Sequence, residues 1–166
     1  IGVNYKGKFD KAALGIGAGY LTAISDGVND TATSTTFKDT DNMKVWALSA
    51  SIAVGPVKVA AGMLVSDDVR TTTLSKDGTM YDIGAKYTMG PNAFSLGYTT
   101  GKMEADKGNG DEEETHVTAS YRRTLGAGVT WAVNLMHVDI QDDVAAGTAN
   151  AKTNGMAMST ALKINF

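Results

Sequence analysis

The chain has 166 residues, a net charge of −3, no cysteine, two prolines and 19 glycines. That length suffices for one ordinary domain; the charge disfavours a nucleic-acid partner, and the missing thiols exclude a disulfide framework or a thiolate metal site. No run reaches the roughly 20 apolar residues of a spanning helix, which leaves membrane strands open, because these are apolar only at alternate positions.

An alternation of period two runs through almost every segment. Ile1, Val3, Tyr5 and Phe9 alternate with Asn4, Lys6 and Lys8; Leu14, Ile16, Ala18 and Tyr20 alternate with Gly15, Gly17 and Gly19. Trp46, Leu48, Ala50, Ile52 and Val54 follow, then Val57, Val59, Ala61, Met63 and Val65, set against Lys58, Ala60, Gly62 and Leu64. Tyr81, Ile83, Ala85 and Tyr87 oppose Asp82, Gly84 and Lys86, and Phe94, Leu96 and Tyr98 oppose Ser95 and Gly97. Val117, Ala119 and Tyr121 precede Val129, Trp131, Val133 and Leu135. The series closes on Met158, Leu162, Ile164 and Phe166. Nine strands are expected, in an all-β, antiparallel arrangement. Residue 1 already lies inside a patterned segment, so the chain is expected to be a processed or truncated piece.

Short and long connections alternate strictly. The short ones are "FDKA", "VGPV", "MGPN" and "LGAG"; the long ones are residues 25–42, 66–79, 101–115 and 139–155. All but two of the 18 acidic residues, Asp10 and Asp82, fall in the long ones. A soluble sandwich that binds ligand with its loops gives no reason for that one-ended charge. A transmembrane β-barrel does, with short periplasmic turns, long extracellular loops and an uncharged band between them. The aromatics agree. Phe9, Tyr87, Phe94, Tyr121, Trp131 and Phe166 lie near the short turns, whereas Tyr20, Trp46, Tyr81 and Tyr98 lie nearer the long loops. All occupy the apolar phase, as two interfacial girdles would.

The ending, with apolar Met158, Leu162 and Ile164 leading to a terminal Phe166, resembles the outer-membrane signal read by the barrel assembly machinery. Together with "VGPVKVAAG", "MGPNAFSLGYT" and "SYRRTLGAGVTWAVNLMH", it is similar to the Gram-negative general porins, those of alphaproteobacteria in particular. The resemblance implies a bacterial outer-membrane location, a homotrimer, contacts with outer-membrane lipid and lipopolysaccharide, and passive diffusion of small hydrophilic solutes and ions. It implies no catalysis and no cofactor. Strand parity adds to this. Nine is odd, whereas bacterial barrels have even strand numbers. The resemblance then implies that residues 1–166 are the C-terminal portion of one barrel domain of sixteen strands. The alternative is a small eight-stranded structural or adhesive barrel without an open pore.

The polar phase carries Lys6, Lys8, Lys58, Lys86, Arg122 and Lys163, with Asp82 the one acid outside loops and turns. Porins set wall bases against acids on an inward loop, so the resemblance makes Lys58, Lys86 and Arg122 candidates for ion selectivity, with Lys6, Lys8 and Asp82 also lining the pore. Lys58 and Lys86 are expected mid-wall, and Arg122 and Lys163 nearer the periplasmic mouth. Small inward residues leave room for water, where a closed barrel would fill its interior with bulk.

Other patterns do not carry chemistry. "GIGAG" at residues 15–19 lacks the spacing and following helix of a dinucleotide fingerprint. His116 and His137 share no metal spacing and have no nucleophile beside them, and no catalytic cluster assembles. "DGVND" and "KGNGDEEE" are acidic enough to interest calcium and lipopolysaccharide phosphates, yet neither matches a calcium loop.

Overall fold

The computed structural model describes residues 1–23, 43–70, 75–103, 111–142 and 151–165. Nine strands form one antiparallel sheet in chain order: β1 (Gly2–Phe9), β2 (Ala12–Ala23), β3 (Met43–Val54), β4 (Val57–Arg70), β5 (Ser75–Met89), β6 (Asn92–Met103), β7 (Glu112–Gly126), β8 (Val129–Asp142) and β9 (Ala151–Ile164). The expected number of strands, their order and their phases are all present. No apolar side chain among the described residues is buried. Trp46 is 54 % exposed, Phe9 78 % and Ile83 53 %. A second layer packed on this face would bury them, so the sandwich has no counterpart here. A contiguous exposed apolar face on this scale needs a surrounding other than water.

Three expected loops are partly strand. β4 and β5 continue through most of residues 66–79, β6 and β7 take up part of 101–115, and β8 and β9 take up part of 139–155. The acids there end the apolar pattern, but the backbone ladder continues because pairing satisfies N–H and C=O whatever the side chain. Register slips once in each of two places, between Ser66 and Val69 and between Thr124 and Gly126. Ser66 is the one buried polar residue described, 7 % exposed, and its hydroxyl donates to the Gly78 carbonyl at 3.3 Å.

The short turns have two central residues each. Gly55–Pro56 and Gly90–Pro91 place glycine at φ 55° and 56°, and proline follows at its fixed negative φ. That pairing of signs matches the right-handed twist of the flanking strands. In Ala127–Gly128 the glycine has φ 74°, and a β-carbon there would meet the Asn165 carbonyl. Asp10 takes the same left-handed region at φ 51°, an acid tolerated where glycine is favoured.

The turns are staggered. The β1–β2 and β3–β4 hairpins end on one register row, through Phe9, Ala12, Val54 and Val57. On that row β5 has Tyr87 and β6 has Phe94, and both strands run further before turning; β7 and β8 run further still. Each overhang is tied to the preceding turn: Thr88 N–H donates to Pro56 O (2.9 Å), Thr124 N–H to Pro91 O (2.9 Å), and Asn165 N–H to Gly128 O (2.8 Å). Such a progressive offset is the shear of strands tilted against a barrel axis.

Replacing Asp10 by glycine should stabilise the first hairpin, and replacing Gly90 by valine should destabilise its own by about 1–2 kcal/mol, the left-handed penalty of a side chain. Urea titration of the complete protein refolded into lipid would read both changes.

Candidate functional site

The polar phase of the sheet carries the site. One register row runs Lys8, Ala13, Ala53, Lys58, Lys86, Ser95, Ser120, Asn134, Ser159. Lys58 and Lys86 stand directly opposite each other on neighbouring strands. Like charges so placed repel, and a sheet accepts them where water solvates both. Among the described residues, none of Lys6, Lys8, Lys58, Lys86 or Arg122 forms an ion pair.

Hollows line this face. One of about 330 Å³ is bounded by Lys58, Asp82, Lys86, Ser95, Thr99 and Ser120, with Ala60, Gly84 and Gly97 in its floor. A second, of about 390 Å³, lies between Lys6, Lys8 and Lys58. A third, of about 270 Å³, joins Asn4, Lys6, Lys58 and Asp82. Lys58 borders all three. Glycines keep the space open. The Asp82 carboxylate lies where a β-carbon of Gly62 would stand, and Ser51 and Ser49 hydroxyls lie over Gly15 and Gly17 in the same way.

The expected pore-lining residues therefore share one face, but their heights differ from expectation. Lys58 is the second residue of β4, next to the Gly55–Pro56 turn, and not mid-wall. Lys86 is four residues before Gly90, and Arg122 is no nearer its own turn than Lys86 is. The strands extend into the acidic segments, so the wall is taller at the loop end and its middle is higher. Asp82 is nearer that middle, on a row with Gly62 and Thr99. His116 continues this row and contacts Glu114 Oε1. His137 lies on the opposite, apolar face, between Val117 and Met156. No group of ligands able to hold a metal occurs among the described residues; residues 26–30 and 107–110 of the calcium candidates lie outside them.

The apolar face carries the aromatics at two levels. Phe9, Tyr87, Phe94 and Tyr121 lie on one register row, with Trp131 a row below. Phe94 and Tyr121 rings are 5.0 Å apart, and Tyr121 and Trp131 rings meet edge-on at 5.8 Å. At the other level Tyr20 pairs with Trp46, ring centroids 4.3 Å apart, with Tyr81 one row lower and Tyr98 two. This descent follows the stagger of the turns. Met158, Leu162 and Ile164 continue the apolar face on β9, opposite Leu135, Trp131 and Val129. Phe166 lies outside the described residues.

Sequence reasoning missed the polar handles on this face. Tyr121 donates its hydroxyl to Asn92 Oδ1 at 2.8 Å, and Trp131 donates Nε1–H to Thr160 Oγ1 at 2.9 Å. Both partners come from other strands, so only the register reveals them. Tyr5, apolar in phase, was a further available signal: its ring lies against Gly7, where a β-carbon would collide with it.

Residues 1–143 match a family model described as Gram-negative porin. No curated protein matches the chain by sequence. The fold is similar to in-vitro folded OmpT, an outer membrane protein of Vibrio cholerae, at 15 % identity and a TM-score of 0.66, over 97 % of this chain and 53 % of that one. A trimer form of that protein matches at 16 % identity and a TM-score of 0.60, over 95 % and 53 % of the two chains. OccAB4 of Acinetobacter baumannii matches at 16 % identity and a TM-score of 0.57, over 97 % and 45 %. The chain spans about half the length of these structures.

Trp46 and Trp131 are the only two tryptophans, which makes depth directly measurable. In single-tryptophan variants, W131F and W46F, bromines near the lipid headgroup should quench each emission more than bromines at the chain terminus. Quenching strongest at the bilayer centre for either residue would contradict its place in a girdle.

Proposed function

The chain belongs to the Gram-negative porins, proteins of the bacterial outer membrane, and on that footing we propose that it walls a passive diffusion channel for small hydrophilic solutes and ions. The observation that carries this reading is the polar face, with hollows floored by glycine and alanine and bordered by Lys58, Lys86 and Asp82. Solutes cross such a wall down their own gradients, and the lysines bias which ions pass. The reading calls for no catalysed step.

The nine strands make up one arc of a larger barrel domain. β1 and β9 are each paired on one side, and hydrocarbon does not tolerate open sheet edges. Both strands run in the same direction, so antiparallel closure requires an odd number of further strands between them. About seven would complete a barrel of about 16. Open hollows and small wall residues weigh against a filled eight-stranded barrel. A homotrimer is supported by the trimer form of the Vibrio cholerae protein. Lipid lies against the apolar face, lipopolysaccharide against the acidic end, and the Met158, Leu162 and Ile164 face of β9 offers the assembly machinery its contact.

The complete protein, refolded and added to a planar bilayer, should give stable stepwise conductance. The double variant K58Q/K86Q should keep the steps and shift relative permeability toward cations, by roughly 2-fold or more if these bases face the ion path. Absence of steps from a folded, heat-modifiable protein would overturn the channel; unchanged selectivity would remove the two lysines from the ion path.

A further inference from the structure

The charges on the polar face are sorted by height. Every basic residue of that phase except Lys76, which stands at the loop end of β5 opposite Val69, lies toward the short turns. Lys8 and Lys6 immediately precede the Asp10 turn, Lys58 follows Gly55–Pro56, Lys86 precedes Gly90–Pro91, and Arg122 and Lys163 flank the turn at Ala127–Gly128. Every acid of that phase lies above them. Asp82 comes first, eight residues from Gly90, then Glu114, then Glu112 and Asp142 on a shared row. A separate hollow of about 180 Å³ at this level is bordered by Ser66, Gly78, Met80, Lys102, Glu112 and Glu114. From the Gly78 row down to the short turns, the two signs do not interleave on this face; Lys76 lies above that row. The stagger widens the separation, because the strands bearing Glu112, Glu114 and Asp142 also reach furthest below.

We propose that this axial sorting makes the channel an ionic rectifier, with an acidic zone at the loop end in series with a basic zone at the turn end. The inference rests on the channel reading above. Cations are the carriers enriched in the acidic zone, and anions in the basic zone. When the loop side is positive, cations enter through the acidic zone and anions through the basic zone, and both accumulate where the zones meet. Conductance is then high. With the opposite polarity both carriers are drawn away from that junction, and conductance falls. This differs from a field set across the pore, which orients a solute but treats the two directions of current alike. The effect requires a Debye length comparable with the lumen, about 10 Å at 0.1 M salt, and disappears when it shrinks to about 3 Å at 1 M.

Single-channel current–voltage curves of the complete protein test this, each channel serving as its own control whichever way it inserts. In 0.05 M KCl the currents at equal and opposite voltage should differ by about 1.5-fold or more, and in 1 M KCl they should become equal. K58E/K86E, which weakens the lower zone, and D82N/E114Q, which weakens the upper one, should each bring the low-salt ratio toward one. Retained heat-modifiability on gels would show that both variants fold. A linear curve at low salt in a conducting protein overturns the inference and leaves the channel reading intact; so does asymmetry that survives 1 M salt or both sets of substitutions. Absence of conductance overturns the channel reading itself.

Discussion

The ladder of backbone hydrogen bonds between neighbouring strands is the interaction on which everything else in this porin rests. There is no buried apolar core among the described residues to hold the strands together. In hydrocarbon an unpaired N–H or C=O finds no water, so pairing is compulsory. The three bonds from Thr88, Thr124 and Asn165 to turn carbonyls show how far this goes: even the overhangs created by strand tilt are paired. With the backbone satisfied, side chains only have to suit the medium they face. Leu96 and Ile83 lie on the apolar face, while Lys58 and Ser95 lie on the polar one.

A wall organised in this way separates two jobs. The apolar face carries its aromatics at two levels. Trp131 and Tyr121 have their polar atoms satisfied by Thr160 and Asn92, so they need not reach for water. The other face is free to carry charge. Lys58 facing Lys86 would weaken a sheet in a packed interior, but on an open polar face solvent screens the pair.

Much of this was legible in the sequence. Strand number, phase and turn position follow from the period-two pattern and from glycine–proline pairs at residues 55–56 and 90–91, because each depends on near neighbours in the chain. The polar-phase bases were legible for the same reason. Strand extent at the loop end was not. Glu112 to Glu114 and Asp139 to Asp142 look like loop by composition, yet the ladder runs through them. Stagger, the Tyr20–Trp46 stack and the Trp131–Thr160 bond depend on register between strands, and no single strand's sequence contains its register.

The two-residue turns have an evolutionary consequence. A single codon gained or lost inside β5, unless a bulge absorbed it, would exchange the faces of the residues beyond it, moving Lys86 to the apolar face and Tyr87 to the polar one. The turns offer no slack to absorb the slip, since their backbone angles admit few lengths. Lineages of this wall can therefore change length safely only at the acidic end, or by duplicating and deleting whole hairpins. Point replacements on the lumen side, by contrast, disturb no packed interior. The same architecture is rigid toward insertions and permissive toward retuning its charge.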